Sequence, residues 1–148
     1  MSARVILLLA LCCSSSSAAA AAFMMGGLPK PLGPPSVVDV PAEFRTSSRP
    51  WGPNRKARKN HNRGKLDSPQ AWSAIENKYG NWYQMDNGKI ADISGVAIKG
   101  RIDSSNKSWG PQFVKTFKVK YYNDGNWRDV DKGAIFNGNT DIDTLVEV

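Results

Sequence analysis

Cysteine is almost absent. Of 148 residues only Cys12 and Cys13 are cysteines. Both lie in an apolar N-terminal stretch that reads as removable, so the remaining chain has no disulfide, no thiol nucleophile and no cysteine-held metal. Histidine is scarcer still. His61 stands alone in a basic, polar segment without an obvious carboxylate partner, so neither a catalytic triad nor a histidine metal site is legible. Glu76 and Asp86 do not form a recognisable acid pair. Asp141 and Asp143, two apart and with Asn139 nearby, could share a strand face and hint at calcium, but the twelve-residue calcium-loop pattern is missing. The expectation is a protein that is not an enzyme and carries no metal or cofactor. Long hydrophobic runs are missing as well: Val5 to Leu11 is far short of the ~20 apolar residues that cross a bilayer, and nothing later is long enough to span one either.

What stands at the N-terminus has the layout of a secretory signal peptide. Arg4 supplies a positive start, Val5 to Leu11 an apolar centre, and Ala20-Ala21-Ala22 a small-residue cut site before Phe23. Residues 1–22 are therefore expected to be a leader, and the protein to be secreted and extracellular. The rest is long enough for one domain. With 41% apolar and 9% aromatic residues, its core must be economical. Asn106-Lys107-Ser108 is a glycosylation sequon among turn formers, which makes Asn106 a candidate glycan site in a secreted chain.

Charge is lopsided. The chain carries a net +7, and Arg45, Arg49, Arg55, Lys56, Arg58, Lys59, Arg63 and Lys65 follow one another with no acidic residue between them. From Leu66 onward ten basic residues face eleven acidic ones. The excess thus belongs to one segment, 45–65. Such a cluster attracts sulfated polysaccharide, anionic lipid headgroups or nucleic acid, and nucleic acid ranks last because a secreted protein rarely meets it. The same composition also fits a solvated loop whose charge serves solubility.

Gly26 to Pro41 is rich in glycine and proline and reads, over 23–41, as an extended lead-in. Arg45 to Gly64, broken by Pro50, Gly52 and Pro53, reads as a long loop. Ser68 and Pro69 have the cap and first-turn residues of a short helical turn. Beyond them strand signals dominate. Trp82 to Asp86 alternates and ends at Asn87-Gly88, a tight-turn dipeptide; Ile90 to Ile98 predicts a second strand with a bulge near Gly95. From Phe113 to Tyr122 the clearest alternation sets Phe117, Val119 and Tyr121 against Lys118 and Lys120. Asp124-Gly125 then turns the chain into a strand beginning at Trp127. Ile135-Phe136 and Thr144 to Val146 predict two more. Short strands with turn chemistry between them indicate an antiparallel sandwich or barrel.

Several stretches occur together in a recognisable order: Leu32-Gly33, Thr46-Ser47-Ser48, Lys65 to Ala74 (KLDSPQAWSA), Asn81 to Asp86 (NWYQMD), Gly95 to Arg101 (GVAIKGR), Phe113 to Gly125, and Gly138-Asn139-Thr140-Asp141. In these the chain, from about Leu32 to Val148, resembles the discoidin family, the coagulation factor five/eight C-type domain. The resemblance implies an all-β, jelly-roll β-sandwich at 32–148, with a basic loop at 45–65. It further implies a secreted domain whose loops at one end bind glycans or membrane phospholipids in cell adhesion. Departures are visible. Members of the family usually close the domain with a cysteine near each end, which this chain lacks. They also continue well past the Gly-Asn-Thr-Asp motif, so the resemblance implies a sandwich lacking its final strands, truncated at the C-terminus. Where members can carry Arg-Gly-Asp, this chain has Arg101-Ile102-Asp103, and integrin recognition is not carried over.

Trp51-Gly52-Pro53 and Trp109-Gly110-Pro111 repeat one tripeptide in polar sequence, whereas Trp72, Trp82 and Trp127 sit at positions that the pattern wants buried. The latter three are expected in the core. A loop tryptophan flanked by basic groups can enter a bilayer interface or stack on a sugar, or it can plug its own loop. Trp51 and Trp109, with Arg49, Arg55, Arg101 and Lys107, are expected to form a ligand-binding rim. Two functions follow: a recognition module for cell-surface glycan or anionic lipid, or a structural extracellular-matrix protein held on acidic polysaccharide by the basic segment.

Overall fold

The computed structural model describes residues 3–12, 18–25, 36–54, 64–66, 68–91, 93–102 and 110–148, with the backbone alone described for 3–12, 18–25, 36–38 and 89–91. Alternating sequence makes alternating burial. In the strand Thr116–Asn123 (β8), Phe117 and Val119 are buried while Lys118 and Lys120 remain half-exposed, because a period of two sends successive side chains to opposite faces. Asp124 and Gly125, both at positive φ, form a two-residue turn that returns the chain as Asn126–Asp129 (β9), with Asn123 opposite Asn126. Those left-handed conformations suit Asp-Gly and match the twist of the paired strands.

The remaining strands are Ala3–Cys12 (β1), Ala18–Met25 (β2), Ser36–Val38 (β3), Arg45–Ser47 (β4), Trp72–Ser73 (β5), Asn81–Ala91 (β6), Ile93–Lys99 (β7), Phe136–Asn137 (β10) and Val146–Glu147 (β11). Among the described residues they make two antiparallel sheets. One has the order β10-β8-β1-β6-β4, with β9 on β8; the other has the order β11-β7-β2-β3, with β5 on β2. Tyr83 and Met85 of β6 and Phe117 and Val119 of β8 come from the first sheet, and Trp72 of β5 and Val96 and Ile98 of β7 from the second. They meet in one cluster with Val40 and Val114. A core filled from both sheets is what defines a β-sandwich.

Three expectations change here. Asn87-Gly88 does not close a hairpin: β6 runs through it, and β6 and β7 lie in different sheets. Gly88, at φ +72, instead sits where the pairing with β1 shifts register between Arg4 and Ile6, so the glycine serves a bulge. The stretch from Arg45 is not all loop, since Arg45–Ser47 pairs with β6. Ser68 and Pro69 start no helix; the Ser68 hydroxyl accepts the Gln70 N–H at 3.2 Å in a local turn. The bulge expected near Gly95 is present, where the β2 register shifts between Gly95 and Ile93.

Residues 3–12 and 18–25, expected as a leader and the start of the lead-in, hold central positions. β1 lies between β6 and β8, and β2 between β7 and β3. An uninterrupted apolar run fits a strand covered on both faces as readily as a leader centre.

Candidate functional site

At the edge beyond β4, the chain is stitched to β5 by backbone. Trp51 N–H donates to the Ser73 carbonyl at 2.7 Å and Ile75 N–H to the Arg49 carbonyl at 3.0 Å, on either side of an antiparallel bridge between Pro50 and Ala74. Ala74 packs toward the core, while its neighbours across and along the bridge, Arg49, Trp51 and Ile75, are exposed. Trp51 keeps 50% of its surface in water. A fixed backbone presenting an indole, a branched aliphatic group and a guanidinium side by side is chemically amphipathic. Tyr79, on the turn that follows, is more exposed still.

Behind this edge lies a buried cation. Arg45 donates from Nε to the Val40 carbonyl at 2.6 Å, and from one terminal nitrogen to the Gly64 carbonyl at 2.7 Å and the Tyr83 hydroxyl at 3.1 Å. Its other terminal nitrogen pairs with the Asp39 carboxylate. The Tyr83 oxygen also accepts the Gly64 N–H at 3.0 Å. Arg45 thus joins the lead-in and Gly64, at the far side of the basic segment, to the core. Loss of hydration pushes the Tyr83 phenol above its ordinary pKa, opposed by the charge and hydrogen bond of Arg45.

Arg101 is a second interior cation. At 7% exposure, its terminal nitrogens donate to the side-chain oxygens of Gln112 and Gln70, each at 3.2 Å, and its N–H to the Gln112 carbonyl at 2.9 Å. Gln70 leads into Ala71, Trp72 and Ser73, so Arg101 ties the stem around Gln112 to the strand that holds Trp51.

The family comparison decides what this sandwich is. The F5/8 type C domain family matches residues 43–148. The chain belongs to that family. As an F5/8 type C domain it is similar to neuropilin-1 of Rattus norvegicus, 30% identical over 113 residues that cover 73% of this chain and 12% of the relative. Lactadherin of Sus scrofa is 35% identical over 86 residues, 54% of this chain and 19% of that protein. The human EGF-like repeat and discoidin I-like domain-containing protein 3 is 30% identical over 80 residues, covering 50% of this chain and 16% of its own length. The chain therefore spans less than a fifth of the curated relatives named here. No solved structure matches it significantly.

Within this F5/8 type C domain, the sequence-predicted rim divides. Arg49 and Trp51 stand together on the surface, whereas Arg101 is interior and braces the loop stems. Trp109, Arg55, Lys107 and the sequon Asn106 lie outside the described residues. Of the basic patch, Arg49 and Lys65 are exposed, Arg45 is buried and ion-paired, and Arg55, Lys56, Arg58, Lys59 and Arg63 lie outside the described residues, as does His61. Trp72 is buried and Trp82 half-buried, but Trp127 is a correction: it is 40% exposed and packs edge-on to Tyr122 on the outside of the β8–β9 turn, centroids 5.5 Å apart. Ile75 and Tyr79 were missed. Both sit in polar sequence without a period, and only the Pro50–Ala74 bridge brings Ile75 beside Trp51.

The Gly-Asn-Thr-Asp motif proves architectural. A side chain at Gly138 would collide with the Val114 carbonyl, Asn139 Nδ2 donates to the Thr144 carbonyl at 2.6 Å, and the Asp141 carboxylate accepts from the Asp143 and Thr144 N–H groups and the Thr144 hydroxyl. Those donors hold the Asp141 carboxyl below its usual pKa. Among the described residues no group of acidic, histidine or cysteine side chains is arranged to hold a metal ion, and no helix is long and apolar enough to cross a membrane.

Proposed function

We propose that the protein is a secreted, non-catalytic recognition module that holds an anionic cell-surface group, a phospholipid headgroup or a charged glycan, in cell adhesion. Arg49 and Trp51 form the described part of the contact rim, with Ile75 added to it. Arg55, Trp109 and Lys107, expected in the same rim from the sequence, lie outside the described residues. The observation that carries this reading is the backbone-pinned outer face of Arg49, Trp51 and Ile75. The basic segment 45–65 begins beside it, and the Arg101 brace on Gln70 brings the stem of the segment carrying Trp109 to the same strand. Indole and aliphatic surface can enter the headgroup boundary or a sugar face while guanidinium groups neutralise the ligand's charge. What the family resemblance implies, binding of glycan or phospholipid through loops at one end, is consistent with that edge.

Cosedimentation with phosphatidylserine vesicles and binding to an array of charged glycans, each at two salt concentrations, test it. The expected result is binding to one class that retains a salt-resistant part, and a fall of about tenfold or more on Trp51→Ala with Ile75→Ala, given ~1.5–3 kcal/mol for a fully buried large apolar side chain. Binding that vanishes steeply with salt and ignores the Trp51 change would instead identify a matrix protein held on acidic polysaccharide through charge alone. Binding to neither class would defeat both.

A further inference from the structure

The first sheet has no direct ladder between its two halves. Among the described residues, β6 with β4 forms one half and β8 with β9 and β10 the other, and β1 alone joins them. Eight Cα pairs connect β1 to β6 and five connect it to β8. Cleavage after Ala22 would remove the whole of β1. It would also remove Ala18 to Ala22 from β2, and with them the pairing of β5 through Ala18 and Ala19, yet Phe23, Met24 and Met25 would still pair with both β3 and β7, so β3, β2, β7 and β11 stay connected. The first sheet would be split, with two facing strand edges at its centre and four residues of the core, Tyr83, Met85, Phe117 and Val119, on the strands that flank the gap.

We propose that this gap is a strand-acceptor site: in the leader-cleaved protein, an extended segment of another polypeptide, about ten residues long, enters between β6 and β8, antiparallel to both. The inference rests on the secretory part of the function proposed above and is independent of the contact rim. The seated strand Ala3–Cys12 defines the occupant's chemistry. It contains no proline, which would remove a ladder hydrogen bond. In its register Leu7 lies opposite Met85, Leu9 opposite both Tyr83 and Val119, and Leu11 opposite Asn81 and Phe117. That row of positions, two apart, is in line with the buried residues and demands apolar side chains. The intervening positions, 8 and 10, lie opposite Gln84 and Lys120, and Trp82 and Lys118, which are half-exposed. There acidic residues are accepted and favoured across from the lysines. Addition of a strand with backbone bonds supplying affinity and alternate side chains supplying specificity is a known recognition mode.

The test uses protein secreted by cells expressing the full chain. Its N-terminus is sequenced, and it is then mixed with synthetic peptides of the sequence 3–12 carrying Cys12→Ser. One peptide bears Leu8→Glu and Ala10→Glu; the other bears Leu7→Glu and Leu9→Glu. An N-terminus at Phe23, one-to-one binding of the first peptide with new amide protection in β6 and β8, and binding of the second weaker by roughly a hundredfold or more are the expected results. Equal affinity for the two peptides would mean mere stickiness and overturn the site. So would β6 and β8 amides already protected in a monomer that takes up neither peptide. An N-terminus upstream of Phe23 would overturn it too, since the leader then fills its own gap; vesicle and glycan binding report separately on the rim.

Discussion

Arg45 shows how much one side chain can hold. It is fully buried, and the groups it satisfies, Asp39, the Val40 and Gly64 carbonyls and the Tyr83 hydroxyl, come from three separated stretches of chain. Arg45→Ala leaves an acid and several acceptors without their donor, and about 3 kcal/mol of stability is expected to go with it, read as a lower urea midpoint at unchanged slope. A lysine cannot reproduce the fork of donors, so Arg45→Lys restores little. Tyr83 gives a pH signature. Its phenol holds its proton more tightly in the fold than in the unfolded chain. That contribution is complete below about pH 10, the ordinary tyrosine value, and is lost as pH climbs through the higher folded value. Melting temperature is therefore expected to fall above pH 10, less steeply in Tyr83→Phe than in the parent; parallel slopes would contradict it.

Among the elements, the β8–β9 hairpin was legible residue by residue, since Phe117 and Val119 alternate with lysines and Asp124-Gly125 closes a short turn. Asn87-Gly88 carries the same kind of signal and means something else. Its glycine supplies a positive φ for a bulge inside a long strand, because the partner on β1 is remote in sequence and no local pattern can announce it. The segment after β10 depends on Gly138, whose N–H donates to the Lys115 carbonyl at 2.7 Å while Asn139 N–H donates to the Val114 carbonyl at 2.7 Å. Gly138→Ala forces a methyl group into that backbone. A loss of about 1–3 kcal/mol is expected, with amide exchange accelerating first in β10, whereas equal stability would show that the close approach is dispensable.

For the molecule as a whole, the proposed leader-cleaved form has neither Cys12 nor Cys13 and is expected to be stable without a covalent staple. The secreted protein should melt at the same temperature with and without a thiol reductant; a reductant-dependent shift would place those cysteines in the folded form. The full chain's +7 net charge comes from 45–65, so salt should weaken ligand binding without changing the fold, because exposed charges are screened and the Arg45–Asp39 pair, with its guanidinium buried, much less so.

Local pattern and the ordered motifs alone determined the all-β class, the family resemblance and the strands whose partners are their sequence neighbours. Periodicity and turn residues are local quantities, and these features are local. The burial of Arg45 and Arg101, the exposure of Trp127, the bulge at Gly88, the pairing that sets Ile75 beside Trp51 and the place of Ala3–Cys12 between β6 and β8 were decided only in three dimensions. Each depends on contacts between stretches far apart along the chain, where the same arginine, tryptophan or apolar run suits the surface, the interior or a leader equally well until a partner strand fixes its face.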